Sequence, residues 1–233
     1  MQLDMRDWME RYAAIMGRYY EGETIALLQR LLKPNMLFID IGGNLGFVSL
    51  TASSLVGPGG QIYYIEPNPV LVKRFRETLE VNKISNVDVF EVALAKASGE
   101  VGLQMGESHG LTRVVEGSGI SAVTGDELLG SLPTDVPMLV KLDVEGYEEQ
   151  VLSGMNRTIA RADTAFFIEV TDSWLRRHGG SADSLFATMR SAGYSAWLSQ
   201  DRPLGSLLVP MSSAHHSSQC NILFARTGQF GAV

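Results

Sequence analysis

Six charged residues stand where apolar runs end, and their types and spacing are what suggest chemistry. Asp40 interrupts "FIDIGGNLGF" (38–47), Glu66 closes "QIYYIEP" (61–67), Lys141, Asp143 and Glu145 alternate through "KLDVEG", and Glu169 closes "FFIEV". A charge beside residues that would be buried in a sheet is costly unless it is paired or used. In an extended chain Lys141, Asp143 and Glu145 share one face. Asp143 is then the first candidate for a general base, with Lys141 beside it. Glu169, on the next strand, supplies a further carboxylate. Two of the carboxylates at this edge could bind a divalent ion such as magnesium, or one could hold Lys141 in an ion pair. A purely structural lysine–carboxylate pair joining two strands is the competing reading.

The loop "DIGGNLG" has the glycines of a nucleotide-binding turn, which let the backbone bend sharply and approach a ligand closely. It departs from the G-x-G-x-x-G fingerprint, because counting from Gly42 the third residue is Asn44 and the sixth is Phe47. Asp40 also speaks against phosphate. A carboxylate about 4 Å from a phosphate charge costs roughly 4 kcal/mol at an effective dielectric of 20. S-adenosylmethionine suits such a loop: it carries an adenosine, a sulfonium and an ammonium group, and no phosphate. Glu66 lies one strand–helix–strand step later, where a carboxylate can accept both ribose hydroxyls.

Elements able to position these groups follow in order. "MLFIDI" (36–41), "QIYYIEP" and "VDVFEVAL" (87–94) read as strands, separated by helical segments, the second carrying Leu71, Phe75 and Leu79 on one face. This β-α-β-α-β opening predicts a parallel sheet with right-handed crossovers. Residues 99–133 are glycine-rich and read as a loose insert with two short β-like pieces. Regular order then resumes with "PMLVKLDV" (137–144), a helical face of Tyr147, Val151, Leu152, Met155 and Ile159, then "TAFFIEV", "ADSLFATMRSAG", "YSAWLS" and "CNILFA". The expected organisation is a helical cap over 1–27 and one doubly wound α/β domain over 28–228. Trp8, Met9, Tyr12, Ile15 and Met16 form a stripe on the cap that suits core packing, a covering of the cofactor or a homodimer contact.

With 233 residues, 45% hydrophobic and 19% charged, the chain can bury a sizeable core. A net charge of −7 argues against a nucleic-acid partner, and "KRFR" (73–76) reads as a solvated helix face. The single cysteine, Cys220, rules out an internal disulfide and fits the cytoplasm. No apolar run is long enough for a membrane span. His215 and His216 read as part of a solvated serine-rich loop, and His109 lies in the insert.

"FIDIGGNLGFVSL", "GPGGQIYYIEPNP" and above all "VKLDVEGYEEQVLSGM" resemble the hallmark stretches of the FkbM family of S-adenosylmethionine-dependent methyltransferases. The resemblance covers roughly residues 17–226. It implies a Rossmann-like class I methyltransferase fold, α/β, with a mostly parallel seven-stranded sheet, an antiparallel last strand and helices on both faces. It implies methyl transfer to hydroxyls of natural products or sugars, so the acceptor is a small molecule or glycan. By the same resemblance Asp40, Gly42, Asn44 and Gly46 line the methionine and ribose side, Glu66 holds the ribose, Asn68 and the Ala93 backbone lie near the adenine, and Glu23 closes over the methionine end. Gly43 stands where an alanine is expected, and the insert matches nothing in the family. Methylation of a nitrogen or carbon, NAD-dependent oxidation and a non-catalytic binding module are the alternatives.

Overall fold

The computed structural model describes residues 3–17, 19, 21–104, 112–202, 205–212 and 219–229. His109, His215 and His216 lie outside the described residues.

The chain begins with α1 (Trp8–Met16), capped by the Asp7 carboxylate, which accepts from the Met9 and Glu10 amides, and α2 (Gly22–Leu31). β1 (Leu37–Ile41), α3 (Phe47–Val56), β2 (Gln61–Ile65), α4 (Pro69–Asn82) and β3 (Val87–Phe90) give the expected alternation. Asn68 starts α4 by accepting from the Val70 amide, and Pro69 at the first helical position loses no intrahelical bond. β4 (Ala93–Leu94), β5 (Gly99–Gln104), β6 (Arg113–Val123) and the short α5 (Gly125–Leu128) follow. Next come β7 (Met138–Leu142), α6 (Glu148–Ser153), α7 (Asn156–Ala160), β8 (Thr164–Val170) and α8 (Asp172–Leu175), which runs into a 3-10 turn. α9 (Ala182–Ser191), β9 (Ser195–Arg202), β10 (Gly205–Met211) and β11 (Cys220–Ala225) complete the chain.

The main sheet has the order β10-β9-β11-β8-β7-β1-β2-β3. The strands from β3 to β8 in this order pair in parallel, whereas β11 is antiparallel to both β8 and β9. β10 adds an eighth strand to the seven expected. Strand order reverses between β1 and β7, so this is the switch point where an open sheet leaves a crevice at its carboxyl edge.

Strand alternation sorts side chains onto two faces. Leu37, Ile39 and Ile41 pack with Val140, Leu142, Phe166 and Ile168 against helical residues Val151, Leu152, Leu185 and Phe186. Phe38, Ile62, Leu139 and Phe167 pack on the other side against Leu27, Leu28 and Leu31 of α2 and Val48, Ala52 and Val56 of α3. The residues one step further along that second face are Asp40, Tyr64, Lys141 and Glu169. The sequence thus turns an apolar sheet face polar at its carboxyl edge, under α2 and α3.

Several expectations change on folding. "VDVFEVAL" splits, and Ala93 and Leu94 leave the main sheet to pair with Ala122 and Val123. The described residues of the insert form two strands, β5 and β6, which join β4 in a three-stranded sheet of order β4-β6-β5, and β6 runs through the glycine-rich "EGSGISAV". Glycine density had suggested a loose chain there, but the ladder to β5 supplies the backbone partners. β10 escaped notice because it contains Pro210, which an edge strand tolerates. The helix after β7 breaks at Gly154, where a side chain would collide with the Ala95 carbonyl. On α1 only Met9 of the apolar stripe is buried, while Trp8, Ile15 and Met16 are exposed. No helix among the described residues is long and apolar enough to cross a membrane.

α1 is held by charge instead. Glu10, fully buried, accepts two hydrogen bonds from the Arg74 guanidinium of α4, at 2.8 and 2.6 Å, and one from the Asp4 amide. Removing the carboxylate leaves Arg74 without this fork. Glu10→Ala is expected to cost about 2 kcal/mol in urea denaturation, less than a fully buried pair would, because Arg74 is one-quarter exposed. An unchanged midpoint would show that α1 is anchored otherwise.

Candidate active site

A cavity of about 90 Å³ opens at the carboxyl edge, lined by Tyr19, Glu21, Asp40, Gly42, Asn44, Glu66, Thr112, Lys141, Asp143, Glu145 and Glu169 among others. Seven of the expected site residues meet there, namely Asp40, Gly42, Asn44, Glu66, Lys141, Asp143 and Glu169.

On the β1 side, Asp40 is buried and its Oδ2 accepts from the Ser49 hydroxyl of α3 at 2.6 Å. Its Oδ1 has no hydrogen-bond partner, nor does the buried side-chain oxygen of Asn44. Burial pushes the Asp40 carboxyl up, against the opposing pull of Lys141 and Ser49. The loop is pressed tightly into place. Gly42 (φ +79°) lies so close to the Asp143 carbonyl that a Cβ would overlap it, and a Cβ on Gly43 would overlap the Tyr64 ring. Tyr64 in turn donates to the Asn44 carbonyl at 2.5 Å. Alanine is therefore excluded at position 43 while Tyr64 keeps this place.

Glu66 sits just past β2. Its Oε2 accepts from the Asn44 amide at 3.0 Å and its Oε1 from the Asn68 amide at 2.9 Å. Each oxygen retains a lone pair for a ligand hydroxyl. Burial pushes this carboxyl up to about 7, although the two amide bonds oppose it.

On the β7 side, the strand ends at Leu142, so Asp143 and Glu145 belong to the turn beyond it rather than to an extended run. The Asp143 amide donates to the Ile41 carbonyl, which fixes the turn against β1. Lys141, buried, donates to Asp143 Oδ2 at 2.7 Å. Burial alone would lower the Lys141 ammonium, but Asp143, Glu21 and Asp40 outweigh it and keep the group raised. Glu145 adopts φ +57°, an uncommon conformation for a residue with a side chain, and its Oε2 is buried without a partner. Burial, with the Asp143 charge, pushes Glu145 up to about 8. Burial and the same charge raise Glu169. Asp143, Glu145 and Glu169 bring carboxylate oxygens within 4.8 Å of one another, close enough to hold one metal ion.

Four expected residues lie elsewhere. Gly46 precedes α3 (φ +81°) against Phe75, Asn68 caps α4, and Ala93 is buried in the small sheet. Glu23 is in the first turn of α2, and its charge acts on Cys220. Glu21 occupies the cavity wall in its place, its carboxylate accepting from the Tyr19 hydroxyl at 2.9 Å and Thr24 Oγ1 at 3.0 Å. Sequence reasoning missed Glu21 because it stands just before the helical pattern starts. It also missed Glu148, which is buried and accepts from the Val144 and Gly146 amides, fixing the turn that carries Asp143 and Glu145. Its signal was weak, the first of two adjacent acids at the start of a helix.

Strand order, the antiparallel β11 and the placement of the crevice define a Rossmann-like class I methyltransferase fold. Solved structures agree at the level of fold. Precorrin-6y C5,15-methyltransferase from Geobacter metallireducens aligns with a TM-score of 0.51 and 16% identity, over 89% of this chain and 90% of that one. Methyltransferase FkbM from Methylobacillus flagellatus aligns with a TM-score of 0.50 and 15% identity, over 95% and 62%. The methyltransferase FkbM domain profile matches residues 40–196, and the chain belongs to that family. Hexuronic acid methyltransferase AglP of Haloferax volcanii is 29% identical over 143 residues, covering 60% of this chain and 58% of that protein.

The raised carboxyls give a pH dependence of known sign. Glu66, Glu145 and Glu148 hold their protons to about 7, 8 and 7 when folded, against 4.5 for an unperturbed glutamate. Their contribution to stability is full below about 4.5 and is lost as pH rises through 7 to 8. The melting temperature of the ligand-free protein is expected to fall between pH 5.5 and 8.5, and Glu66→Gln to flatten that fall. A slope unchanged in the variant would contradict the burial of Glu66.

Proposed function

We propose that this chain is an S-adenosylmethionine-dependent methyltransferase acting on a hydroxyl of a small natural product or sugar. The observation that carries the reading is the pair of buried, unpartnered oxygens, Asp40 Oδ1 and Asn44 Oδ1, on a glycine turn at the switch point. They are hydrogen-bond acceptors in want of donors, and an ammonium group or ribose hydroxyls supply donors where a phosphate would not. Glu66 would accept from the ribose, and Asp40 and Glu21 would face the positive end. Similarity to the Haloferax hexuronic acid methyltransferase supports a glycan or sugar acceptor.

S-adenosylmethionine supplies an electrophilic methyl group on a sulfonium when bound. The protein's own task is to position the acceptor hydroxyl and to take its proton. Asp143 is assigned that proton; Lys141 donates to its Oδ2 and orients it. Glu145 and Glu169 complete the carboxylate wall. The same three carboxylates are where magnesium would sit, and turnover after EDTA treatment, with and without added magnesium, separates metal-assisted from unassisted deprotonation. Methylation of a nitrogen or carbon remains the alternative, with Asp143 orienting the acceptor.

Transfer of tritiated methyl from S-adenosylmethionine to a panel of sugars and sugar acids tests the reading. Asp143→Asn is expected to lower turnover by about 100-fold or more, with the cofactor Kd changed by less than about twofold. Normal turnover in this variant would remove Asp143 from the mechanism.

A further inference from the structure

Thr112, Val114 and, from the turn after β7, Val144 and Glu145 line part of the cavity. Arg113 opens β6, and its guanidinium carbon lies 5.5 Å from the centroid of the Trp174 ring. Its Nε is buried without a hydrogen-bond partner. Its charge reaches Glu145 of the cavity wall and His178. Thr112, the preceding residue, lines the cavity, and its hydroxyl is likewise buried and unpartnered. Gly146, next to Glu145, lies against the Trp174 backbone, and Tyr147 meets His178 edge to face at 5.2 Å. Tyr147, Trp174 and His178 are all half-buried and group together beside Glu145, with Arg113 against the Trp174 ring and the Arg177 charge also acting on His178.

A guanidinium N–H left buried and unpaired is unfavourable, and a ligand oxygen would satisfy it. The cavity interior sets the polarity of that ligand. Glu21, Asp40, Glu66, Asp143, Glu145 and Glu169 line it against Lys141, which is already bound to Asp143. An anionic group in the interior would have to sit among these carboxyl groups, whereas Arg113 attracts one outside. Carboxylates inside can accept from hydroxyls.

We propose that Arg113, with Thr112 and the Trp174 ring, forms an acceptor subsite for an oxyanion substituent, carboxylate or phosphate, on a hydroxylated molecule such as a sugar acid. The anion is held outside while a hydroxyl of the same molecule turns inward toward Glu145 and Asp143. Arginine suits this role because its planar fork matches an oxyanion with two parallel bonds. The assignment rests on the methyltransferase reading of the cavity.

Calorimetry on protein saturated with S-adenosylhomocysteine tests it, using methyl glucuronoside, glucose 6-phosphate and methyl glucoside as probes. At least one anion is expected to bind about tenfold or more tightly than the neutral glucoside, and the tighter of the two identifies carboxylate or phosphate as the group recognised. Arg113→Gln is expected to abolish that advantage while leaving the affinity for S-adenosylhomocysteine and the melting temperature unchanged. Arg113→Lys, which keeps the charge, retains a preference for the anion. Equal affinity for the three probes, no binding of either anion, or a preference that survives Arg113→Gln would overturn the subsite. If S-adenosylhomocysteine itself failed to bind the wild type, the cofactor reading would fall first and the subsite with it.

Discussion

The Lys141 ammonium, buried against Asp143 at 2.7 Å, is the charge that makes the rest of the cavity tolerable. Six carboxylates line the cavity around it, and three of them, Asp40, Asp143 and Glu21, act on it directly. Burying acids together is costly, and a protein meets the cost by pairing them or by keeping some protonated. Both occur here: Asp143 is paired, while Glu66 and Glu145 are pushed up by burial. A cationic ligand would relieve the same strain a third way, which is why the electrostatics of the ligand-free cavity and the choice of cofactor are one argument.

The backbone is arranged to bring these groups together. Asp40, Lys141 and Glu169 continue sheet rows that are apolar one step earlier at Phe38, Leu139 and Phe167. Register places Asp40 opposite Lys141 across the β1–β7 pair, at the reversal of strand order. Beyond β7 the chain leaves the sheet, and Glu148 holds the turn from which Glu145 reaches back in a left-handed conformation. The tight fit of Gly42 on the Asp143 carbonyl and of Gly43 on Tyr64 couples the two halves of the site.

Much of this was legible in the sequence because strands ending in charge are a local signal. Asp40, Glu66 and Glu169 could be placed at strand ends from the runs that precede them, and β8 has the limits its apolar pattern suggested. What escaped was decided by partners far away in the chain. Glycines of the insert became strand once β5 offered a ladder, and Pro210 entered β10 because an edge strand needs no donor on its outer side. Glu21, just before the helical pattern of α2 begins, lines the cavity, while Glu23 stands in the first turn of that helix. The stripe on α1 looked like core, yet the helix is held by the Glu10–Arg74 pair and leaves Trp8 and Ile15 exposed.

Buried Asp40 at the glycine turn selects a cationic, phosphate-free cofactor. The most direct test of that selection is a pair of calorimetric titrations of the wild-type protein at neutral pH, one with S-adenosylmethionine and one with NADH. Saturable one-to-one binding of S-adenosylmethionine is expected, with no detectable heat from NADH. Binding of NADH in preference would contradict it, because a pyrophosphate would then be accepted beside Asp40.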